Sequence, residues 1–363
     1  MEKLSLVIFP FVLALIISVI VTPLTIFVFR KLGFVIDPAK TPHPAHIHKR
    51  PVPKGGGIPI FLAVVITALI FLKLDKHLTG ILIAMGLTLV IGLIDDIKGM
   101  SPKVRLLFNF VAAGIVVAAG IGIAYVTNPF GAGVIDLSHP RLSFYLFGRL
   151  HEIWLWPDLF ALFWIPILMN AINWSSGVDG QASGMIAIAA FVIGLLSFSY
   201  SADITQWPAA ILAFGLSGAF VGLTIFHFYP QKIMPGYSAT TLAGLLLAVL
   251  SILSTTKVGT AMMVLAIPLV DAGYVVSRRI LSGKSPLTGD RGHLHHKLLE
   301  LGWGKRRVAL FYWMVTAFFG FLALNLNAKM KIFAIVGLAV ALAGLLLWTY
   351  SGRSRRQSDQ GNG

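Results

Sequence analysis

Two adjacent carboxylates, Asp95 and Asp96, stand directly after an unbroken apolar run that ends at Ile94. Neighbouring carboxylates at an apolar boundary repel one another and lose hydration, so they persist only with a cation or a shared proton. A hard divalent ion such as Mg²⁺, held by few carboxylates together with substrate phosphates, supplies that charge. An ordinary helix stop would leave the same pattern, since Lys98, Gly99 and Pro102 follow. Asn170, Asn173 and Asp179 gather around a Gly-Val-Asp-Gly turn at 177–180. The two amides, three apart, share a helix face and can present oxygens to a metal or ligand, or cap the helix end. His293, His295 and His296 lie beside Asp290 and Arg291. With no cysteine in the chain and no Glu at ligand spacing, phosphate or sugar-hydroxyl binding suits this cluster better than zinc. Lys54 and the run Gly55 to Gly57 can bring backbone close to a phosphate, or simply make a turn.

These groups need elements to hold them, and composition says what kind. Of 363 residues, 57% are hydrophobic and only 12% charged, against about 25% charged in soluble domains. Mean hydropathy is +0.85. A soluble enzyme, a secreted scaffold and a disordered chain are excluded together, and an all-α polytopic membrane protein is predicted. Runs long enough to cross roughly 30 Å of hydrocarbon give about eleven spans, near 4–29, 57–72, 79–94, 106–126, 159–172, 183–200, 207–226, 240–253, 258–276, 308–325 and 332–350. The first is too long for a signal peptide and lacks a small-residue cleavage site.

Basic residues set the predicted orientation. With the amino terminus outside, 21 of the 29 Lys and Arg fall on the cytosolic side, so the carboxyl terminus is cytosolic too. The formal charge of +15 therefore calls for no nucleic-acid partner. Residues 1–350 read as one integral-membrane domain and 351–363, with no apolar side chain, as a disordered cytosolic tail. Residues 127–157 form the one long outer loop, where Trp154 and Trp156 suit an aromatic belt. No internal repeat is evident.

The polar clusters fall almost entirely in the five loops assigned to the cytosol: 37–57, 92–105, 170–180, 227–244 and 282–298. One composite site on that face is the economical reading. Phosphates, a hard ion and a substrate reached through the membrane together indicate phosphoryl transfer to a lipid phosphate.

The ordered motifs HKRPVPKGGG, GLIDDIKGMSPKVRLL, NAINWSSGVDG, IPLVDAGYVVSRRILSGKSP and GDRGHLHHKL cover nearly the whole chain. They resemble the polyprenyl-phosphate N-acetylhexosamine-1-phosphate transferases, glycosyltransferase family 4. The resemblance implies transfer of a sugar 1-phosphate from a UDP-sugar to undecaprenyl phosphate, with Mg²⁺ or Mn²⁺, releasing UMP, in the first membrane step of cell-wall or surface-polysaccharide synthesis in a bacterial cytoplasmic membrane. It implies Asp95 and Asp96 as the catalytic carboxylates, and Asn173, Asp179 and Asp96 at the metal. Substrate contacts would come from Lys54, Arg105, Asn170, Arg291, His293, His295 and His296. GDRGHLHH is closer to the branch using UDP-N-acetylhexosamines than to that using UDP-N-acetylmuramoyl-pentapeptide. The number of subunits stays open, a homodimer included.

Three positions depart from the family pattern. Ser176 stands where the first Asp of an Asp-Gly-x-Asp-Gly turn is usual, His227-Phe228 replaces Asn-Phe, and Tyr237 replaces a metal-binding aspartate. A neutral phenol is a poor Mg²⁺ ligand. The readings to be separated are a transferase retaining its ion through Asp95, Asp96, Asn173 and Asp179, a relative that binds without turnover, and a transporter or flippase. Asp271, inside the ninth run, is either a reserve ligand or an intramembrane acid paired with a neighbour.

Overall fold

The computed structural model describes residues 2–36, 51–128, 133–146, 149–253, 257–287 and 292–361; for some of these, 345–361 included, only the backbone is described. The expected tail at 351–363 and Arg291 fall outside the described side chains. The helices are α1 (Glu2–Lys31), α2 (Gly57–Phe71), α3 (Lys76–Lys98), α4 (Pro102–Ala118), α5 (Leu155–Trp174), α6 (Gln181–Ser199) and α7 (Trp207–His227). They continue as α8 (Gly236–Leu253), α9 (Lys257–Val264), α10 (Ala266–Leu281), α11 (Leu294–Glu300), α12 (Lys305–Asn325) and α13 (Ala328–Gly361). Three antiparallel pairs accompany them: β1 (Val35–Ile36) with β2 (Val52–Pro53), β3 (Tyr125–Thr127) with β4 (Val134–Asp136), and β5 (Arg141–Leu146) with β6 (Arg149–Trp154).

The chain is an all-α, multi-pass membrane protein. Among the described residues, seven helices are long and apolar enough to cross a membrane, eight if the bent pair α9–α10 is one span. Every predicted run falls on a helix, but not every helix has spanning length. α2 has 15 residues and α4 has 17, and α4 ends at Ala118, so the predicted 106–126 run is cut short and its end enters β3. The ninth run breaks by 82° between Val264 and Ala266. Pro268, in the first turn of α10, has no N–H to offer the carbonyl four residues back, which is the local reason the helix cannot run through. The 127–157 segment, expected as an outer loop, carries most of the two hairpins β3–β4 and β5–β6, with the Arg141 guanidinium 3.9 Å from the Trp154 ring centre.

α8 is the axis of the bundle. Its residues from Tyr237 to Ser251 are all buried, and it packs against α5, α3, α2 and α9. Lipid offers no hydrophobic drive between helices, so close packing and buried hydrogen bonds must join them. Trp164 on α5 donates to the Ser251 hydroxyl on α8 at 2.9 Å, and Ser217 on α7 donates to the Ala187 carbonyl on α6 at 2.8 Å. α1 lies against α7 and turns Phe9, Ile16, Ile20, Leu24 and Phe27 outward, the apolar face a bilayer would cover.

Candidate active site

Alternating helices bring the predicted residues to one end of the bundle. The carboxyl ends of α3, α5 and α7 carry Asp95 and Asp96, Asn170 and Asn173, and His227, while the amino ends of α4, α6, α8 and α12 bring Arg105, Asp179, Tyr237 and Lys305.

Asp95 and Asp96, though adjacent, are held by different partners. Asp95 is buried, and its Oδ1 accepts from Arg105 Nε at 2.6 Å and from the Met100 N–H at 2.9 Å. Asp96 faces the amino end of α8. The Tyr237 N–H donates to its Oδ1 at 2.7 Å, and Ser238 donates to Oδ2 through its N–H at 3.1 Å and its hydroxyl at 2.6 Å. Two otherwise unpaired first-turn amides and the positive end of the helix dipole thus meet a carboxylate. The approach is so close that a Cβ at Gly236, whose φ is +69°, would land on the Asp96 carboxylate. Both oxygens of Asp96 are engaged; Oδ2 of Asp95 carries no protein donor among the described residues.

Lys54 reaches this centre by a backbone zipper. The Met234 N–H donates to the Pro53 carbonyl at 2.9 Å, and Lys54 pairs in parallel with Met234. Gly55 to Gly57 press on Phe29, Pro235 and Ser238. In this structure the glycine run therefore serves close packing, and its product is the Lys54 charge placed to act on Asp96.

Asn173 borders the same turn of α8: its side-chain oxygen accepts from the Thr240 hydroxyl at 2.9 Å, which also donates to the Gly236 carbonyl at 2.8 Å. Asn170 turns back along its own helix, donating to the Pro166 carbonyl at 2.7 Å. Ser176 donates to the Asn173 carbonyl at 2.6 Å, so it closes the end of α5. Asp179 is buried and stands apart, accepting from Lys305 Nζ at 3.0 Å and from the Gln231 N–H at 3.4 Å. His227 braces this turn from behind. The Gly180 N–H donates to its Nε2 at 3.4 Å, and its Nδ1 meets the Ser183 hydroxyl at 2.8 Å.

Tyr237 takes no part in the carboxylate cluster with its side chain. Its hydroxyl donates to Asn109 Oδ1 on α4 at 2.9 Å, and the Arg105 guanidinium lies 5.2 Å from its ring centre. The phenol thus fastens α8 to α4 beneath the arginine that pairs with Asp95.

The histidines are tied down by Asp271. Its Oδ2 meets His293 Nδ1 at 2.9 Å and its Oδ1 accepts from the Leu294 N–H at 2.8 Å, so the acid caps α11. Of the two readings of Asp271, the structure shows the pairing with a neighbour, His293. His293 and His295 rings stack at 5.8 Å, His295 and His296 lie 4.2 Å apart, and His295 rests on Gly177. Burial, then the neighbouring His296 and His293, hold the His295 imidazole well below the usual histidine range, so it is neutral at pH 7.

Sequence reasoning missed four contributors: Lys305, Asn109, Ser238 and Thr240. Lys305 reads as a loop cation and the others as ordinary helix residues; only their position at helix ends facing the acids signals a role. Among the described residues, no three His, Asp or Glu side chains come together as a metal site. Asp95, Asp96, Asn173 and Asp179 are thus not one preformed cage. For a hard cation, the arrangement offers the Asp95–Asp96 pair with Asn173 beside it, one or two carboxylates of the kind Mg²⁺ takes along with substrate phosphates.

Residues 78–255, from α3 to just beyond α8, match glycosyl transferase family 4. The chain is 27% identical over 350 residues to the decaprenyl-phosphate N-acetylglucosaminephosphotransferase of Mycolicibacterium smegmatis, covering 86% of this chain and 82% of the relative. It is 26% identical over 334 residues to the undecaprenyl-phosphate alpha-N-acetylglucosaminyl 1-phosphate transferase of Yersinia pestis, covering 90% and 87%. A phospho-N-acetylmuramoyl-pentapeptide-transferase of Mycobacterium sp. is 27% identical over 339 residues, covering 84% and 92%.

Proposed function

The chain belongs to glycosyl transferase family 4, and from that premise we propose that it transfers an N-acetylhexosamine 1-phosphate from a UDP-sugar to undecaprenyl phosphate. A lipid-phosphate oxygen attacks the sugar-bearing phosphorus, the bond to the bridging oxygen breaks, and UMP leaves with the electron pair. The observation that carries this reading is the paired carboxylate centre, Asp95 against Arg105 and Asp96 against the first turn of α8 with the Lys54 charge acting on it. Fixed cations of this kind suit phosphates.

Roles follow from the open valences. Asp95 Oδ2 is the carboxylate oxygen left for a proton or a ligand, and Asp96 positions α8 and Lys54. A base is needed only where the lipid phosphate arrives singly protonated. Arg105, Lys54 and Arg291 receive phosphates, and His293, His295 and His296 receive the nucleotide-sugar with Asn170 at its edge. Mg²⁺, or Mn²⁺, would be held by Asp95, Asp96 and Asn173 with substrate phosphates, and when bound it neutralises charge on departing UMP. Asp179, with Lys305, flanks that set.

We assign the site to the cytosolic face of a bacterial cytoplasmic membrane, with the amino terminus outside and the carboxyl terminus inside. The distribution of 21 of the 29 basic residues supports this. Lipid is the solvent and partner; nucleic acid is not.

A second reading, a binder without turnover, is favoured by one observation: Tyr237 stands at the aspartate position and is committed to Asn109. Purified protein with undecaprenyl phosphate, Mg²⁺ and a panel of UDP-sugars separates the two. UMP release that requires both lipid and a UDP-N-acetylhexosamine is expected. Release only with UDP-N-acetylmuramoyl-pentapeptide would assign the other branch. Retained UDP-sugar binding with no UMP across the panel would establish the binder, and solute uptake into proteoliposomes would establish a transporter.

A further inference from the structure

The end of the bundle opposite the candidate active site holds a second feature. α12 starts at Lys305, which touches Asp179, and its 21 residues span about 30 Å, so its far end lies at the other side of the bundle. There α6, α9, α12, α13 and the β3–β4 hairpin enclose a cavity of about 810 Å³. Its walls are mainly apolar, with Val258 and Met262 from α9, Leu326 from the α12–α13 turn, and Ile332 and Ile335 from α13.

Among the described residues, one cation lines this apolar space. Lys331 is partly buried, and its Nζ donates to the Thr260 hydroxyl at 2.8 Å. A lysine near a helix end at a membrane boundary ordinarily extends its ammonium outward to water. Lys331 does the reverse, reaching inward to a threonine that is 1% exposed. Among the described residues no carboxylate pairs with it. An ammonium drawn into an apolar wall loses hydration and calls for a counter-charge. The volume falls within the range of pockets that enclose a small-molecule-sized ligand. Asn327, at the same rim, adds a side-chain donor.

We propose that this cavity binds an anionic lipid from the leaflet opposite the active site, its headgroup oxyanion on Lys331 and Asn327 and an acyl chain along α9 and α13. Charge complementarity selects an anionic over a zwitterionic head, and the apolar walls select an acyl chain over a free anion. The site is distinct from the carboxylate centre and does not depend on the proposed transferase activity.

The test is native mass spectrometry of the full-length chain, delipidated in detergent and titrated with phosphatidylglycerol or with phosphatidylcholine of identical acyl chains. Phosphatidylglycerol is expected to bind about tenfold more tightly, the difference a single charge-assisted hydrogen bond supplies. Lys331→Gln should bring it down to the phosphatidylcholine level, and Lys331→Arg should keep the preference. Gly259 lines the cavity and has nothing within 4 Å of an added Cβ, so Gly259→Trp fills the space and should weaken both lipids. Equal binding of the two lipids, or an unchanged preference in Lys331→Gln, would overturn the proposal. Displacement of phosphatidylglycerol by millimolar inorganic phosphate would overturn it too, assigning the site to a soluble anion. If Lys331→Gln does not fold, the Lys331→Arg and Gly259→Trp titrations decide alone: a Gly259→Trp chain that binds phosphatidylglycerol as tightly as the parent sinks the idea.

Discussion

Lys305 Nζ lies 3.0 Å from Asp179 Oδ1, joining the turn before α6 to the first residue of α12 across 126 positions of sequence. The acid is almost wholly enclosed, and the lysine is about one-fifth exposed. Removing the lysine takes a charge-assisted hydrogen bond from a buried carboxylate. Lys305→Met is expected to cost about 1.5–3 kcal/mol, read as a lowered melting temperature in detergent, while Lys305→Arg stays near the parent. Equal stability of all three would show the pair to be incidental.

The carboxylate pair should separate by function. Asp95→Asn is expected to lower UMP release by at least about 10²-fold with a folded chain, since it removes the oxygen left for the reaction. Ser238→Ala takes one of three donors from Asp96 and should cost about tenfold or less. A fully active Asp95→Asn would remove Asp95 from the mechanism.

Because the described acids do not assemble as a cage, metal binding should depend on nucleotide. Mn²⁺ followed by its paramagnetic resonance signal is expected to bind at least about tenfold more tightly when UDP-sugar is present. Chelation should stop UMP release reversibly. Equally tight Mn²⁺ binding without nucleotide would reveal a preformed site and contradict this assignment.

Tyr237→Phe tests the phenol. Losing the hydroxyl bond to Asn109 should lower stability by about 1 kcal/mol and leave turnover within about threefold. A loss of 10² in turnover at full stability would instead make the hydroxyl a participant in the reaction.

Protonation of His295 offers a pH test. Burial and two neighbouring imidazoles depress its affinity for protons in the folded chain, while in the unfolded chain it titrates near 6.5. The unfolded state therefore takes up the proton first, and stability falls as pH drops below about 6.5, by at most about 1.4 kcal/mol per pH unit for this group. Melting temperatures at pH 7.5, 6.5 and 5.5 should show the decline, and His295→Asn should flatten it. An identical slope in the variant would assign the decline to other groups.

Much of this was legible in the order of residues. The apolar runs located the helices, and the polar loops named the residues that gather at one end of the bundle, because a chain that crosses and recrosses a bilayer must put alternate loops on one face. Span length was less legible: hydropathy does not reveal that α4 stops at Ala118 or that Pro268 sits beside an 82° break. The partners were least legible of all. Nothing near Asp179 in sequence points to Lys305, and nothing near Asp271 announces that it caps α11 twenty-three positions later. Tyr237 reads as a lost ligand through the family resemblance alone. Only its contact with Asn109 on another helix gives it a task.

The grip of α8 on Asp96 carries a consequence for biogenesis. Until α8 is seated, Asp96 is a bare carboxylate at the edge of an apolar helix and the first-turn amides of α8 have no acceptor. Both are costly in lipid, and each relieves the other. Final assembly of the bundle and completion of the proposed reaction centre are therefore a single event. On the proposed assignment, a chain stalled with α8 out of place displays no competent centre, so catalytic competence would itself certify correct insertion.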